Sequence, residues 1–335
     1  MILPPQNPVN FVTGGGGFLG GHLVRFLIEQ GQRVVVIEKP GFERKNLAPG
    51  IELRIADIRD RKALQVALSD CSGAHVYHLA ANPHLWALDP SEFDQVNHQG
   101  AVSVLETALS NGAMRVLHCS TESILTKKVQ GSSGVPIDEQ VEIAESDAVG
   151  PYCLSKLRAE NRALALGRQG QPVVVANPTM PVGPNDPGPS PPTCLIRDFI
   201  DGRMPGYLDC SLNLVDARDV ATGLARVMHF GIPGRRHLLS GQNLSLEELL
   251  ELLSKLTGRP MPRLKIPYQV GLFYAFASEW AARNVTGRRP QATVTGLRLA
   301  RRLMHFDGTA TQVLLGWESR PIEESLRDAL TWLKL

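Results

Sequence analysis

The sequence predicts an α/β fold, a doubly wound parallel sheet followed by a smaller α/β lobe. Three observations carry that expectation. Short β-branched runs alternate with longer amphipathic stretches through the first half of the chain, a glycine-rich string stands directly behind the first run, and seven prolines between residues 178 and 192 mark a change of character. The 335 residues exceed what one hydrophobic core usually serves, so two lobes with a cleft between them are expected.

Taken in order, strands are expected at 10–13, 33–37, 52–55, 75–79, 115–119 and 173–176, with helices at 19–30, 62–68, 94–111 and 151–167 between them. The runs VVVI at 34–37 and VVVA at 173–176 are apolar throughout rather than alternating, and such strands belong to a sheet covered on both faces. Residues 1–178 are therefore assigned to the larger, dinucleotide-binding domain. The proline-rich crossing after Asn177 cannot run as regular helix or central strand. Residues 179–335 are assigned mainly to a substrate-binding lobe, with a segment at about 210–235 returning to the first domain. A strand at 213–215 and helices near 195–201, 220–230, 245–256, 268–284 and 322–333 complete the reading. Ser245, with Glu247 and Glu248 behind it, gives the helix at 245 a cap and an acidic first turn. The most apolar late stretch, VGLFYAFASEWAA at 270–282, is broken by Glu279 and reads as a buried or cleft-lining helix. Its alternative is a surface that takes a greasy substrate or touches a membrane.

Composition narrows the partners. Thirty-five basic residues against 33 acidic ones leave a net charge of +2, which gives no reason to expect a nucleic acid or an anionic membrane as main partner and favours a small molecule. Five scattered cysteines without a Cys-x-x-Cys pair or neighbouring histidines read as reduced thiols in a cytoplasmic protein, with no metal site. Residues 1–10 lack the features of a secretory signal, and no stretch reaches the ~20 apolar residues that cross a bilayer.

Thr13-Gly14-Gly15-Gly16-Gly17-Phe18-Leu19-Gly20 follows a strand and opens a helix, the setting a dinucleotide fingerprint requires. Gly14 permits the tight turn, Gly17 lets the N–H groups of the helix start, through Phe18 and Leu19, approach a pyrophosphate, and Gly20 permits close helix–sheet packing. This is the Rossmann arrangement, and NADP or NAD is the expected cofactor. At the end of the second strand, Glu38 would accept the ribose hydroxyls of NAD, whereas Lys39 with Arg44 or Lys45 would pair with the 2′-phosphate of NADP; the three clustered cations tilt the reading to NADP. Asp57-Ile58 is placed to hold the adenine, and Leu79-Ala80-Ala81 lies beside the dinucleotide.

Tyr152 and Lys156 stand four residues apart at the start of a helix, on one face. A phenol of pKa near ~10 needs a neighbouring cation to act as an acid–base at neutral pH, and Lys156 supplies one. Ser120 and Thr121 follow the fifth strand, where α/β sheets bind ligands, and Thr121 is preferred as the hydroxyl that orients the reacting oxygen. Asn97 is expected to donate to backbone or to a water linked to Lys156. Glu122, His84, Trp86 and Thr179 are the substrate-side candidates.

These motifs together resemble the extended short-chain dehydrogenase/reductases: TGGGGFLG at 13–20, Asp57, LAA at 79–81, Asn97, Ser120-Thr121, YCLSK at 152–156 and Asn177-Pro178. The segments at 177–186, 203–223 and 314–333 are similar to the hopanoid-associated sugar epimerase branch, itself like dihydroflavonol reductases. The resemblance implies a Rossmann domain with a small substrate lobe, Asn177 and Pro178 at the cofactor, and a homodimer built through helices at about 94–111 and 151–167. Where nucleotide-sugar enzymes of the family carry an arginine, this chain has Ser211-Leu212-Asn213, and where dehydratases carry Thr-Asp-Glu it has Thr121-Glu122-Ser123. The resulting expectation is an NAD(P)-dependent reductase of a ketone or aldehyde, or the reverse alcohol oxidation. Its alternatives are an epimerase working through a transient keto intermediate and a non-catalytic dinucleotide sensor.

Overall fold

A computed structural model describes residues 8–44, 47–126 and 135–334. Lys45 and residues 1–7 of the N-terminal stretch lie outside the described residues. The chain runs β1 (Asn10–Thr13), α1 (Phe18–Glu29), β2 (Val34–Glu38), β3 (Glu52–Ile55), α2 (Arg61–Ala67), β4 (His75–His78), α3 (Ser91–Phe93), a π-helical stretch (Asp94–Gly100), α4 (Ala101–Ser110), β5 (Arg115–Cys119), α5 (Gly150–Arg168) and β6 (Val173–Pro178). There follow β7 (Met180–Val182), α6 (Pro191–Ile200), β8 (Ser211–Asp216), α7 (Ala217–Phe230), β9 (Arg236–Leu239), β10 (Gln242–Ser245), α8 (Leu246–Thr257), α9 (Tyr268–Ala281), α10 (Val294–Ala300), α11 (Thr309–Leu315) and α12 (Ile322–Trp332).

Seven parallel strands form the main sheet in the order β3-β2-β1-β4-β5-β6-β9. The order reverses between β1 and β4, so the crevice at their C-terminal ends is the place where such sheets bind ligands. Residues alternate between two cores. Val12, Val34, Val36, Leu117 and Val174 pack under α1 and α7, while Phe11, Val35, Val76, Val116 and Val175 pack under α2, α4 and α5. Both faces are covered, as the unbroken apolar runs predict.

A second sheet, β10-β8-β7, carries the smaller core with α6, α8 and α12. The chain passes back to the main sheet through α7 and β9. The proline-rich crossing is more regular than its composition suggests. Pro181 lies in the edge strand β7, where a missing N–H is tolerated, and Pro191 and Pro192 occupy the first turn of α6, where N–H groups have no helical partner.

Two expectations for helices are corrected. The stretch at 94–111 is not a uniform α-helix, because its first two turns are π-helical. The apolar segment at 270–282 is helical but not buried: Ala275 is the sole buried residue of α9, and Phe273, Tyr274, Phe276 and Trp280 are exposed. Among the described residues no helix is long and apolar enough to cross a membrane.

Candidate active site

The glycine loop is built around two close contacts. Gly14 has φ +74°, and a Cβ there would meet the backbone of Ala80 at 2.7 Å; a Cβ on Gly20 would meet the carbonyl oxygen of Gly14 at 2.0 Å. Both positions admit glycine alone for reasons internal to the fold. Gly17 differs, since it is exposed and a Cβ there would meet only the Gly14 oxygen at 3.3 Å. It is also the N-cap of α1 and caps with no side chain, so the first N–H groups of the helix, those of Phe18 and Leu19 among them, have no side-chain acceptor among the described residues. An open cradle before bare helix donors fits a pyrophosphate.

Glu38 closes one side of the loop. Its Oε1 accepts the N–H of Gly16 at 2.8 Å, and burial lifts its carboxyl above the usual range against the opposing pull of the Gly16 and Lys39 N–H groups. Of the cations expected to compete with it, Lys39 is exposed beside Glu38, and Arg44 donates to the carbonyl of Ile51 at 2.7 Å. Asp57 is gripped by Arg59, whose Nε and Nη2 reach both carboxylate oxygens, and Ile58 packs into the core against Gly100. Ile58 therefore meets the adenine position through backbone at most. Leu79 and Ala80 form the floor beneath Gly14, and Ala81 follows them at the cleft.

At the C-terminal end of β5 the catalytic candidates converge. Tyr152 is 9% exposed and sits in an apolar cluster with Leu125, Leu157, Leu299 and Met304, its ring edge-on to Phe93 at 6.1 Å. Burial pushes the phenol upward in pKa, with Cys153 and Glu122 adding to the rise and the neighbouring Thr121 side chain opposing it. Lys156 is buried and donates to the carbonyl of Cys119 at 2.7 Å; burial lowers its pKa. Among the described residues Lys156 makes no hydrogen bond to the phenol itself. The lysine's cation is instead committed to the strand end that carries Ser120 and Thr121.

Thr121 Oγ1 donates to Glu122 Oε2 at 2.8 Å, and burial raises the Glu122 carboxyl to about 7. The Ser120 hydroxyl is buried without a hydrogen-bond partner among the described residues. Asn97 lies in the π-helical stretch, accepts the N–H of Asn82 at 2.7 Å and donates to its carbonyl at 3.0 Å, with Ser155 Oγ 3.4 Å away. It clamps the loop behind β4 rather than reaching Lys156. His84 follows on that loop, where burial lowers it to about 4 between Arg289 and Asp186, and the Trp86 indole nitrogen is buried without a partner among the described residues.

Three expected site residues turn inward. Asn177 is fully buried and gives its amide N–H groups to Glu160 Oε2 at 2.5 Å and to the Thr121 carbonyl at 3.3 Å, so it braces the catalytic segment instead of facing the dinucleotide. Pro178 ends β6 beside Leu239, and Thr179 is fully buried with its N–H on the Leu239 carbonyl, which removes it from the substrate side. Sequence reasoning missed Glu160. It continues the spacing of Tyr152 and Lys156 by one more helical step and pairs with Arg236 at 2.6 Å, tying α5 to β6 and β9. The lobe also holds a cavity of about 860 Å³ lined by Leu208, Ser211, Tyr268, Arg301, Arg302 and Met304. Arg301 and Arg302, just past the end of α10, stand in the same cavity as Ser211 and Leu212, a convergence that chain order hides.

Comparison with known proteins places the arrangement. A model of the NAD dependent epimerase/dehydratase family matches residues 10–237. A protein of Synechocystis sp. provisionally named dihydroflavonol 4-reductase is 32% identical over 329 residues, covering 97% of this chain and 94% of its own. Among solved structures, gox2253 is 34% identical with a TM-score of 0.84 and 98% of both chains covered. The UDP-glucose 4-epimerase of Thermus thermophilus, in complex with NAD, shares the fold at 20% identity, with a TM-score of 0.77 over 97% of this chain and 99% of that one.

Proposed function

The chain belongs to the NAD dependent epimerase/dehydratase family, a family of NAD-dependent enzymes, and from that premise we propose that it is a carbonyl reductase in which Tyr152 is the proton donor. The observation that carries the reading is the setting of Tyr152: a buried phenol walled by apolar side chains, with a hydroxyl, a half-neutral carboxyl and a buried lysine at the same strand end. That environment suits an uncharged ketone or aldehyde, and the relative in Synechocystis carries a reductase name over nearly the whole chain.

In this reading the glycine loop, the N–H groups at the start of α1 and Glu38 hold the dinucleotide, which supplies hydride when bound. Tyr152 gives its proton to the substrate oxygen. Lys156, one helical turn further, stabilises the phenolate left behind. Thr121 orients the oxygen, and Glu122 decides whether its hydroxyl is free to do so. While Glu122 is ionised it takes the Thr121 hydrogen; once protonated it can donate to Thr121 Oγ1 and release that hydrogen toward the substrate.

A pH dependence follows. The carboxyl titrates at about 7, so kcat/KM for reduction should be level below that pH and decline above it as Glu122 ionises. Glu122→Gln, which keeps an N–H donor for Thr121, should remove this limb; a mutant profile that still falls through the same pH would refute the role.

We read the cofactor as NAD. The Glu38 carboxylate on Gly16 is the group turned to the loop, and a 2′-phosphate would meet a like charge there. Binding measured by calorimetry should favour NAD over NADP by roughly tenfold or more, and Glu38→Gln should narrow the difference to a few-fold. Equal binding of both by the parent protein would contradict the assignment.

One observation favours the epimerase alternative, namely the cavity with Arg301 and Arg302, which would suit an anionic sugar substrate. Hydride accounting separates the two. A panel of ketones and of nucleotide sugars, followed at the nicotinamide absorbance, should show stoichiometric NADH consumption with a ketone. Product from a nucleotide sugar with no net absorbance change would establish the epimerase instead.

A further inference from the structure

The even net charge conceals an uneven distribution. Between Arg259 and Arg302 nine lysines and arginines stand against one carboxylate, Glu279, whereas the whole chain carries 35 against 33. That carboxylate is occupied, because Glu279 Oε1 accepts the N–H of Val294 at 2.7 Å. Arg283, Arg288 and Arg289 are exposed, and none of them pairs with a carboxylate among the described residues.

The same segment carries the largest run of exposed apolar rings. Tyr268, Leu272 and Ala275 turn one side of α9 onto Val294 and Leu297 of α10. The opposite side presents Phe273 at 77% exposure, Trp280 at 63% and Phe276 at 51%, with Val285 at 70% just beyond. An outward row of rings is costly to leave in water, and here unpaired guanidinium groups follow it directly along the chain. The face also adjoins the cleft, since the α10 residue Gly296 lies against Leu85 of the loop that carries His84.

We propose that the outward face of α9, with Arg283, Arg288 and Arg289, is a docking surface for an anionic lipid bilayer. The helix has 14 residues, about 21 Å at 1.5 Å per residue, too short to span and suited to lie in the plane of the headgroups. Phe273, Phe276 and Trp280 enter the acyl boundary, and the arginines meet phosphates. Charge argues against a second copy as the occupant. A two-fold contact through this face would set its arginine cluster against its own image, whereas an anionic surface complements it. The surface does not depend on the catalytic reading, since no residue of the Tyr152 site contributes to it.

The test is flotation of the full-length protein with large unilamellar vesicles of phosphatidylcholine, alone or with about one-third phosphatidylglycerol. The parent protein should float with the anionic vesicles and bind phosphatidylcholine at least ~10-fold more weakly. Neutralising Arg283, Arg288 and Arg289 together to Gln should reduce anionic binding roughly 100-fold, since each cation near such a surface contributes on the order of fivefold. Phe273→Ser with Phe276→Ser should abolish flotation while leaving the thermal transition and NAD binding unchanged, these side chains being exposed. Brominated lipids should quench tryptophan emission in the parent protein, and Trp280→Phe should remove that quenching. Tyr152→Phe should float like the parent. A parent protein that stays with neither vesicle, or binding that survives both sets of substitutions, overturns the proposal. So does a sedimentation-equilibrium dimer that the serine substitutions dissolve, because the face would then belong to a second copy.

Discussion

Tyr152→Phe is expected to lower kcat for carbonyl reduction by roughly 10²–10⁴-fold, the range that one positioned acid contributes. The substitution deletes a single hydroxyl. The ring that packs edge-on to Phe93 and among Leu125, Leu157 and Met304 stays, so the fold loses little. The dinucleotide cradle is formed by other residues, and NAD affinity should remain within a few-fold. The combination matters more than either number. A variant that lost activity and cofactor together would report a collapsed site, and one that kept most of its activity would remove the phenol from the chemistry.

Gly20→Ala should be the most damaging single methyl group in the chain. Its Cβ would stand 2.0 Å from the Gly14 carbonyl oxygen and 2.9 Å from the Gly15 Cα, and both obstacles are backbone. Neither can rotate away, so either the start of α1 or the turn behind β1 must shift. Overpacking of this kind costs about 3 kcal/mol or more, to be read as a lowered midpoint in chemical or thermal unfolding. Gly17→Ala separates fold from function. Its Cβ meets little besides the Gly14 oxygen at 3.3 Å, so stability should hold while NAD binding weakens by an order of magnitude or more, because the methyl group fills the space left for the phosphates. If Gly17→Ala bound NAD as the parent does, the cradle would not be where the dinucleotide rests.

Most of the main sheet was legible in the sequence because its determinants are local. β1, β3 and β5 begin and end at the expected residues, and the other strands shift by a residue or two. The elements that escaped have weak local signals. β9 is the four residues Arg236–Leu239 and owes its place to pairing with β6, β7 contains a proline, and α10 has Gly296 in its middle. The π-helical turns at Asp94–Gly100 leave no periodic mark, yet they carry Asn97, which holds the backbone of Asn82.

The candidate site divides in the same way. Its glycine loop and the Tyr152–Lys156 step are spacing patterns, readable on one line. Their settings are not. That Thr121 gives its hydrogen to Glu122, that Lys156 is spent on the Cys119 carbonyl, and that Asn177 faces Glu160 all depend on how β5, β6 and α5 lie against each other. The exposure of α9 was equally hidden, since an apolar helix reads the same whether its rings meet a core or open water.

A crystal structure with NAD bound tests the account most directly. The account predicts the pyrophosphate on the N–H groups of Phe18 and Leu19, the adenosine ribose against Glu38, and the Tyr152 hydroxyl turned to the face of the nicotinamide ring with room for a small carbonyl compound between them. A dinucleotide bound away from the glycine loop, or a Tyr152 hydroxyl directed away from the nicotinamide, would contradict it.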